Sequence, residues 1–127
     1  MKKVYNIGVE ATLEVIGGKW KPVILCHLTH HGKIRTNEFR RLIPGISQKM
    51  LTNQLRELEQ SGLINRKVFN QVPPKVEYSL TPYGQEMDPV LNILCTWGEN
   101  HIEKLQDKGE DVLLMQRDED IAMMHTS

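Results

Sequence analysis

Apolar residues recur at three- and four-residue steps along most of this chain, and one stretch alternates instead. Val9, Leu13 and Ile16 predict a first helix, which Gly17-Gly18 ends. In KWKPVILCHLTHHG, Trp20, Val23, Ile24 and Leu28 make the apolar stripe of a second helix. Pro22 falls in its first turn, where proline is tolerated, and Gly32 closes it. Lys33-Ile34-Arg35 is a short extended link, and Thr36 is placed to cap NEFRRLI. Pro44-Gly45-Ile46 makes a tight turn, after which Ser47 is placed to cap the next helix.

That helix, in SQKMLTNQLRELEQSG, divides sharply into two faces. At roughly 100° per residue, Leu51, Leu55 and Leu58 fall in one narrow arc with Met50 and Gln54 at its edge. Gln48, Lys49, Thr52, Asn53 and Arg56 fan across the other side. Gly62 ends the helix. Residues 63–69, and the alternation of Val76, Tyr78 and Leu80 with Glu77 and Ser79, predict the two strands of a hairpin. Asn70-Gln71-Val72-Pro73-Pro74 supplies its turn. From Thr81, a cap with Pro82 at the first helical position, a long helix carries Met87, Val90, Leu91, Leu94, Trp97, His101, Ile102 and Leu105. Pro89 should kink or break it.

Helix, helix, short strand, helix, tight turn, helix, hairpin, long helix is the plan of a winged helix-turn-helix, a mainly α (α+β) fold with a two-stranded wing. Its helix-turn-helix unit would span residues 36–61, locked by Phe39, Leu42, Ile43 and Ile46. The 127 residues suit one domain with a real core, taken as residues 1–106, followed by an acidic tail over 107–127 that is ordered in part at best.

Composition changes this picture in two ways. The formal charge is zero, yet residues 33–81 hold nine cationic groups against four acidic ones, while residues 82–127 hold ten acidic groups against three cationic. A basic middle balanced by an acidic end suits a polyanion-binding module. No stretch approaches the roughly 20 apolar residues of a membrane span. Glu10 and Glu14 interrupt any apolar run after the basic N-terminus, so it does not read as a signal peptide. Cys26 and Cys95 lie far apart within apolar helical patterns, which suggests reduced thiols and a cytoplasmic protein.

In a helix-turn-helix the second helix enters the major groove of DNA. The residue types on the polar face of residues 47–61 fit that task. Asn and Gln pair with adenine, Lys and Arg with guanine, and Thr meets a thymine methyl. The expected DNA contacts are Ser47, Gln48, Lys49, Thr52, Asn53 and Arg56, with Gln71 and Lys75 of the wing reaching an adjacent groove or phosphate. A plain solvated face, or a winged-helix protein–protein adaptor, would use the same pattern differently.

VEATLEVIGGKWKPVIL, PGISQKMLTNQLRELEQSGLI, VPPKVEYSLTPYG and the later Trp97-Gly98 resemble the HxlR family of bacterial transcriptional regulators, relatives of the MarR type. The resemblance covers about residues 7–105. It implies a homodimeric DNA-binding repressor or activator, with residues 47–61 as recognition helix and 70–75 as wing. It also implies that the first and the long C-terminal helices pair between subunits. Val9, Leu13, Val90, Leu91, Leu94, Trp97, His101, Ile102 and Leu105 are the expected dimer contacts. Physical argument also favours a dimer on a palindromic operator, since one recognition helix contacts only a few base pairs. Repression is the expected sign.

Several members of the family sense oxidants through a cysteine just before the first helix, where this chain has Ile7. Cys26, in an apolar helical stretch, reads as a buried, inert side chain. Cys95 lies nearly opposite the main stripe of its helix and reads as more accessible. A thiol- or metal-responsive regulator is therefore a further alternative, and the effector is unspecified. His27 and His31 have the i, i+4 spacing of zinc ligands, but no adjacent Cys or carboxylate completes a set, so neither metal nor cofactor is expected. No nucleophile–base pattern, phosphate-binding loop or paired carboxylates point to an enzyme.

Overall fold

The structure, a computed structural model, describes residues 1–117. Helix α1 (Gly8–Ile16) starts where the Glu10 carboxylate accepts hydrogen bonds from the Asn6 and Ile7 amides at 3.2 and 3.3 Å. Helix α2 (Lys21–His31) carries Pro22 in its first turn and stops at Gly32, whose φ of 79° is a left-handed conformation suited to glycine. Strand β1 (Lys33–Arg35) leads directly into α3 (Thr36–Leu42). Thr36 is thus the first helical residue rather than the cap: Arg35 ends β1 in extended conformation, and the Glu38 carboxylate accepts its amide hydrogen at 3.1 Å. Helix α4 (Gln48–Gln60) does begin at a capping Ser47, whose Oγ accepts from the Met50 amide at 3.1 Å.

Strands β2 (Ile64–Phe69) and β3 (Lys75–Leu80) pair antiparallel from Ile64 opposite Leu80 to Phe69 opposite Lys75. The wing hairpin gains a third strand, because Lys33, Ile34 and Arg35 pair with Ser79, Tyr78 and Glu77; the sheet order is β1-β3-β2. Register places buried Ile34 beside buried Tyr78. Tyr78 in turn meets Phe39 of α3 edge-on, with ring centroids 6.1 Å apart.

The helix expected from Thr81, with a kink or a break at Pro89, is broken just before that proline into α5 (Pro82–Gln85) and α6 (Asp88–Asp107). Pro89 lies in the first turn of α6, so the missing donor starts a helix instead of kinking one. Thr81 caps α5: its hydroxyl accepts from the Gly84 amide at 2.9 Å and donates to the Gly62 carbonyl at 2.6 Å. Gly84 packs so closely on Leu63, just before β2, that any Cβ would strike the Leu63 carbonyl oxygen.

One apolar core unites these elements. Leu51, Leu55 and Leu58 of α4 are buried among Ile24, Leu25 and Leu28 of α2, Phe39 of α3 and Ile64 of β2. Each such leucine contributes about 1.5–3 kcal/mol relative to exposure. Ile43 and Ile46 are buried in the turn and Leu42 packs on the same core at its margin. The core therefore fixes which side of α4 faces outward.

Candidate nucleic-acid interface

With its leucines buried, α4 presents Gln48, Lys49, Thr52, Asn53 and Arg56 to solvent, with Ser47 exposed at its start. The Gln48 amide donates to the Thr52 hydroxyl at 3.2 Å, orienting two of these side chains along one face. Glu57, the nearest carboxylate, is drawn aside: it accepts from Gln54 at 3.2 Å and pairs with Lys21 of α2 at 3.3 Å. The Lys21 partner is largely buried, so the pair joins α2 to α4 and removes a negative charge from the edge of the exposed face.

The wing is arranged less simply. Gln71 is exposed in the turn between β2 and β3. Lys75 is not at the tip but opens β3, and its side chain is only 21% exposed. Its ammonium lies 3.4 Å from Glu77 and 4.5 Å from the centre of the Phe69 ring, held back from the reach expected for it. Lys67 approaches Phe69 at 4.8 Å, on the same strand. Arg66 and Lys67 are both exposed cations on β2 beside the turn, and reading the sequence for turn residues missed them. Their signal was the unbroken polar run Asn65-Arg66-Lys67, which marks a strand exposed on both faces. A recess of about 360 Å³ between Arg35, Thr36 and Asn37 and the wing residues Gln71, Pro73 and Lys75 opens beside it.

The expected dimer residues fall into two groups. Val9 and Leu13 of α1, and Val90, Leu94, Trp97 and His101 of α6, are exposed. Leu91, at 3% exposure, belongs to the chain's own core and drops out of the stripe; Ile102 and Leu105 are half-buried on its flank. Ile93, passed over in the sequence, is 68% exposed beside Trp97 at 66%. Its spacing, three residues after Val90 and four before Trp97, was the available signal. Trp97 stacks on His101 with centroids 5.1 Å apart.

The scaffold helix α2 holds two further departures. Cys26 is half-buried rather than buried, and its sulfur lies 3.7 Å from that of Cys95 on α6. His27 is 7% exposed and stacks on His31 at 5.6 Å. Its Nδ1 has no hydrogen-bond partner among the described residues. Burial, with the nearby His31 and His30, pushes its pKa down to about 4. Among the described residues no three metal-ligating side chains converge, and no helix is long and apolar enough to cross a membrane.

A family described as HxlR-like helix-turn-helix matches residues 15–106, the stretch that contains the α3–α4 unit and the wing. The chain belongs to the HxlR-like helix-turn-helix family. Among its relatives, the uncharacterized HTH-type transcriptional regulator YtcD of Bacillus subtilis (strain 168) is 68% identical over 112 residues, 88% of each chain. The crystal structure of an HTH-type transcriptional regulator ytcD superposes with a TM-score of 0.72 at 66% identity, covering 76% of this chain and 98% of that one. The redox regulator HypR in its reduced form superposes with a TM-score of 0.74 at 51% identity, covering 80% and 99%. Like these HxlR-like relatives, the protein is a transcriptional regulator built on a DNA-binding helix-turn-helix, and the family resemblance read from its sequence holds.

Proposed function

We propose that this HxlR-like regulator binds a palindromic operator as a homodimer, with the exposed face of α4 reading bases in the major groove. The observation that carries the reading is the acid-poor face itself. Asn53, Arg56, Gln48 and Thr52 project from a helix immobilised by three buried leucines, while Glu57 is tied to Lys21. Ser47 and Lys49 at the α4 N-terminus, and Gln71, Arg66 and Lys67 of the wing, position the module on phosphates, while Lys75 stays drawn to Glu77 and Phe69. Residues 1–106 act as one domain, and residues 107–117 of the acidic remainder lie outside this interface. The part of it over 118–127 falls outside the described residues.

The second subunit is supported by what a single chain leaves uncovered. Helix α1 has nine residues and buries only Ile16, too little to hold so short a helix on its own. Val9 and Leu13, with Val90, Ile93, Leu94 and Trp97 of α6, present apolar surface that a second copy would cover. Pairing through α6 sets two recognition helices at a fixed separation. In this reading the protein acts in the cytoplasm as a repressor, by occupying promoter DNA.

Binding to a duplex recovered from a random pool tests the reading. Asn53→Ala and Arg56→Ala should each weaken specific binding by about 1–3 kcal/mol without changing thermal stability. Binding should also fall steeply with salt. Unaltered affinity in both variants, with little salt dependence, would favour the adaptor alternative, in which this face meets a protein.

A further inference from the structure

The contact between Cys26 and Cys95 has no part in reading DNA. Sixty-nine residues separate the two in sequence, yet their sulfurs sit 3.7 Å apart where α2 packs on α6. Both positions lie on packed helices. Cys26 is flanked by buried Leu25 and His27, and Cys95 lies one helical turn beyond buried Leu91. A disulfide needs sulfurs about 2.05 Å apart, and the remaining approach of under about 2 Å is within the reach of side-chain rotation. Cys26 also lines a cleft of about 600 Å³ with Thr29, His30, Asp88 and Asn92, which gives a small reagent a route to it. With no third ligand converging among the described residues, the pair suits oxidation better than a metal.

We propose that Cys26 and Cys95 form a dithiol site that a hydroperoxide converts into an intrachain disulfide joining α2 to α6. The Cys26 thiolate attacks a peroxide oxygen; a sulfur–oxygen bond forms, the oxygen–oxygen bond breaks, and water or an alcohol leaves. The Cys95 thiol then attacks the resulting sulfenic sulfur, a sulfur–sulfur bond forms and a second water departs. Two thiols are oxidised by two electrons and the peroxide is reduced by two. The expected consequence follows from position. Helix α2 is coupled to the recognition helix by Lys21–Glu57, while α6 carries the proposed dimer face, so a covalent link between them holds the reading helix and the dimer face in one fixed relation, where the reduced pair leaves them able to adjust to the operator.

The covalent step is read without DNA, and its failure is therefore distinct from failure of the DNA reading. The full chain is treated with hydrogen peroxide and analysed by mass spectrometry and by non-reducing gel. The expected product is a monomer that has lost two hydrogen atoms, yields a linked Cys26–Cys95 peptide and is restored by dithiothreitol. Cys26→Ser and Cys95→Ser, with Cys26→Ala and Cys95→Ala guarding against misfolding, should abolish that link. On the selected duplex, oxidised wild type should bind about tenfold more weakly than reduced protein, and the single variants should not. Links mainly between chains, or oxidation of one thiol with no link, would overturn the site. A disulfide that leaves affinity unchanged would overturn the coupling.

Discussion

Asn53 and Arg56 have the freedom that base reading requires because Leu51, Leu55 and Leu58 immobilise the opposite side of the same helix. At this scale one buried side chain also sets a pH response. His27 is neutral in the fold, with its pKa held near 4 against an ordinary 6.5, chiefly by burial. The unfolded chain takes up a proton below about pH 6.5 that the native state refuses until about pH 4. Stability is complete above that window and is lost as pH falls through it, with a slope approaching about 1.4 kcal/mol per pH unit. Urea unfolding between pH 6.5 and 5 should show this slope in wild type. His27→Leu, which also removes the unsatisfied Nδ1, should flatten it; an equal slope in both proteins would assign the proton elsewhere.

The elements were legible wherever local chemistry decides them. The capping roles of Ser47 and Thr81 follow from residue identity, and the burial of the α4 leucines follows from spacing. What escaped the sequence depends on packing between distant segments. The pairing of Lys33–Arg35 with β3, and the approach of Cys26 to Cys95, exist only once α2, the sheet and α6 are assembled. Lys75 was misplaced for a related reason: the attraction of Glu77 and the Phe69 ring is invisible until the register of the wing is known. Gly84 is the element-scale counterpart, since nothing local in TPYG announces its contact with the Leu63 carbonyl. Gly84→Ala should destabilise the protein by about 1–3 kcal/mol as α5 is forced away from Leu63. Denaturant titration checks this, and an unchanged midpoint would mean that the junction yields freely.

For the whole molecule, the uncovered apolar surface and the polar reading face are two halves of one proposal. Trp97 and Ile93 protrude from α6 at a place where the chain's own core is already complete through Leu91. Trp97→Glu should weaken self-association by about 2 kcal/mol or more, measured by sedimentation equilibrium. It should leave the monomer folded, because the indole is largely exposed before pairing. A dimer unaffected by that charge would move the interface elsewhere. The most direct test of two α4 faces reading DNA together is selection of bound duplexes from a random pool by the reduced wild-type protein. The account predicts enrichment of an inverted repeat whose half-sites are centred about 10–10.5 base pairs, or a multiple of that, apart. Recovery of lone half-sites, or of no enriched sequence at low salt, would contradict it.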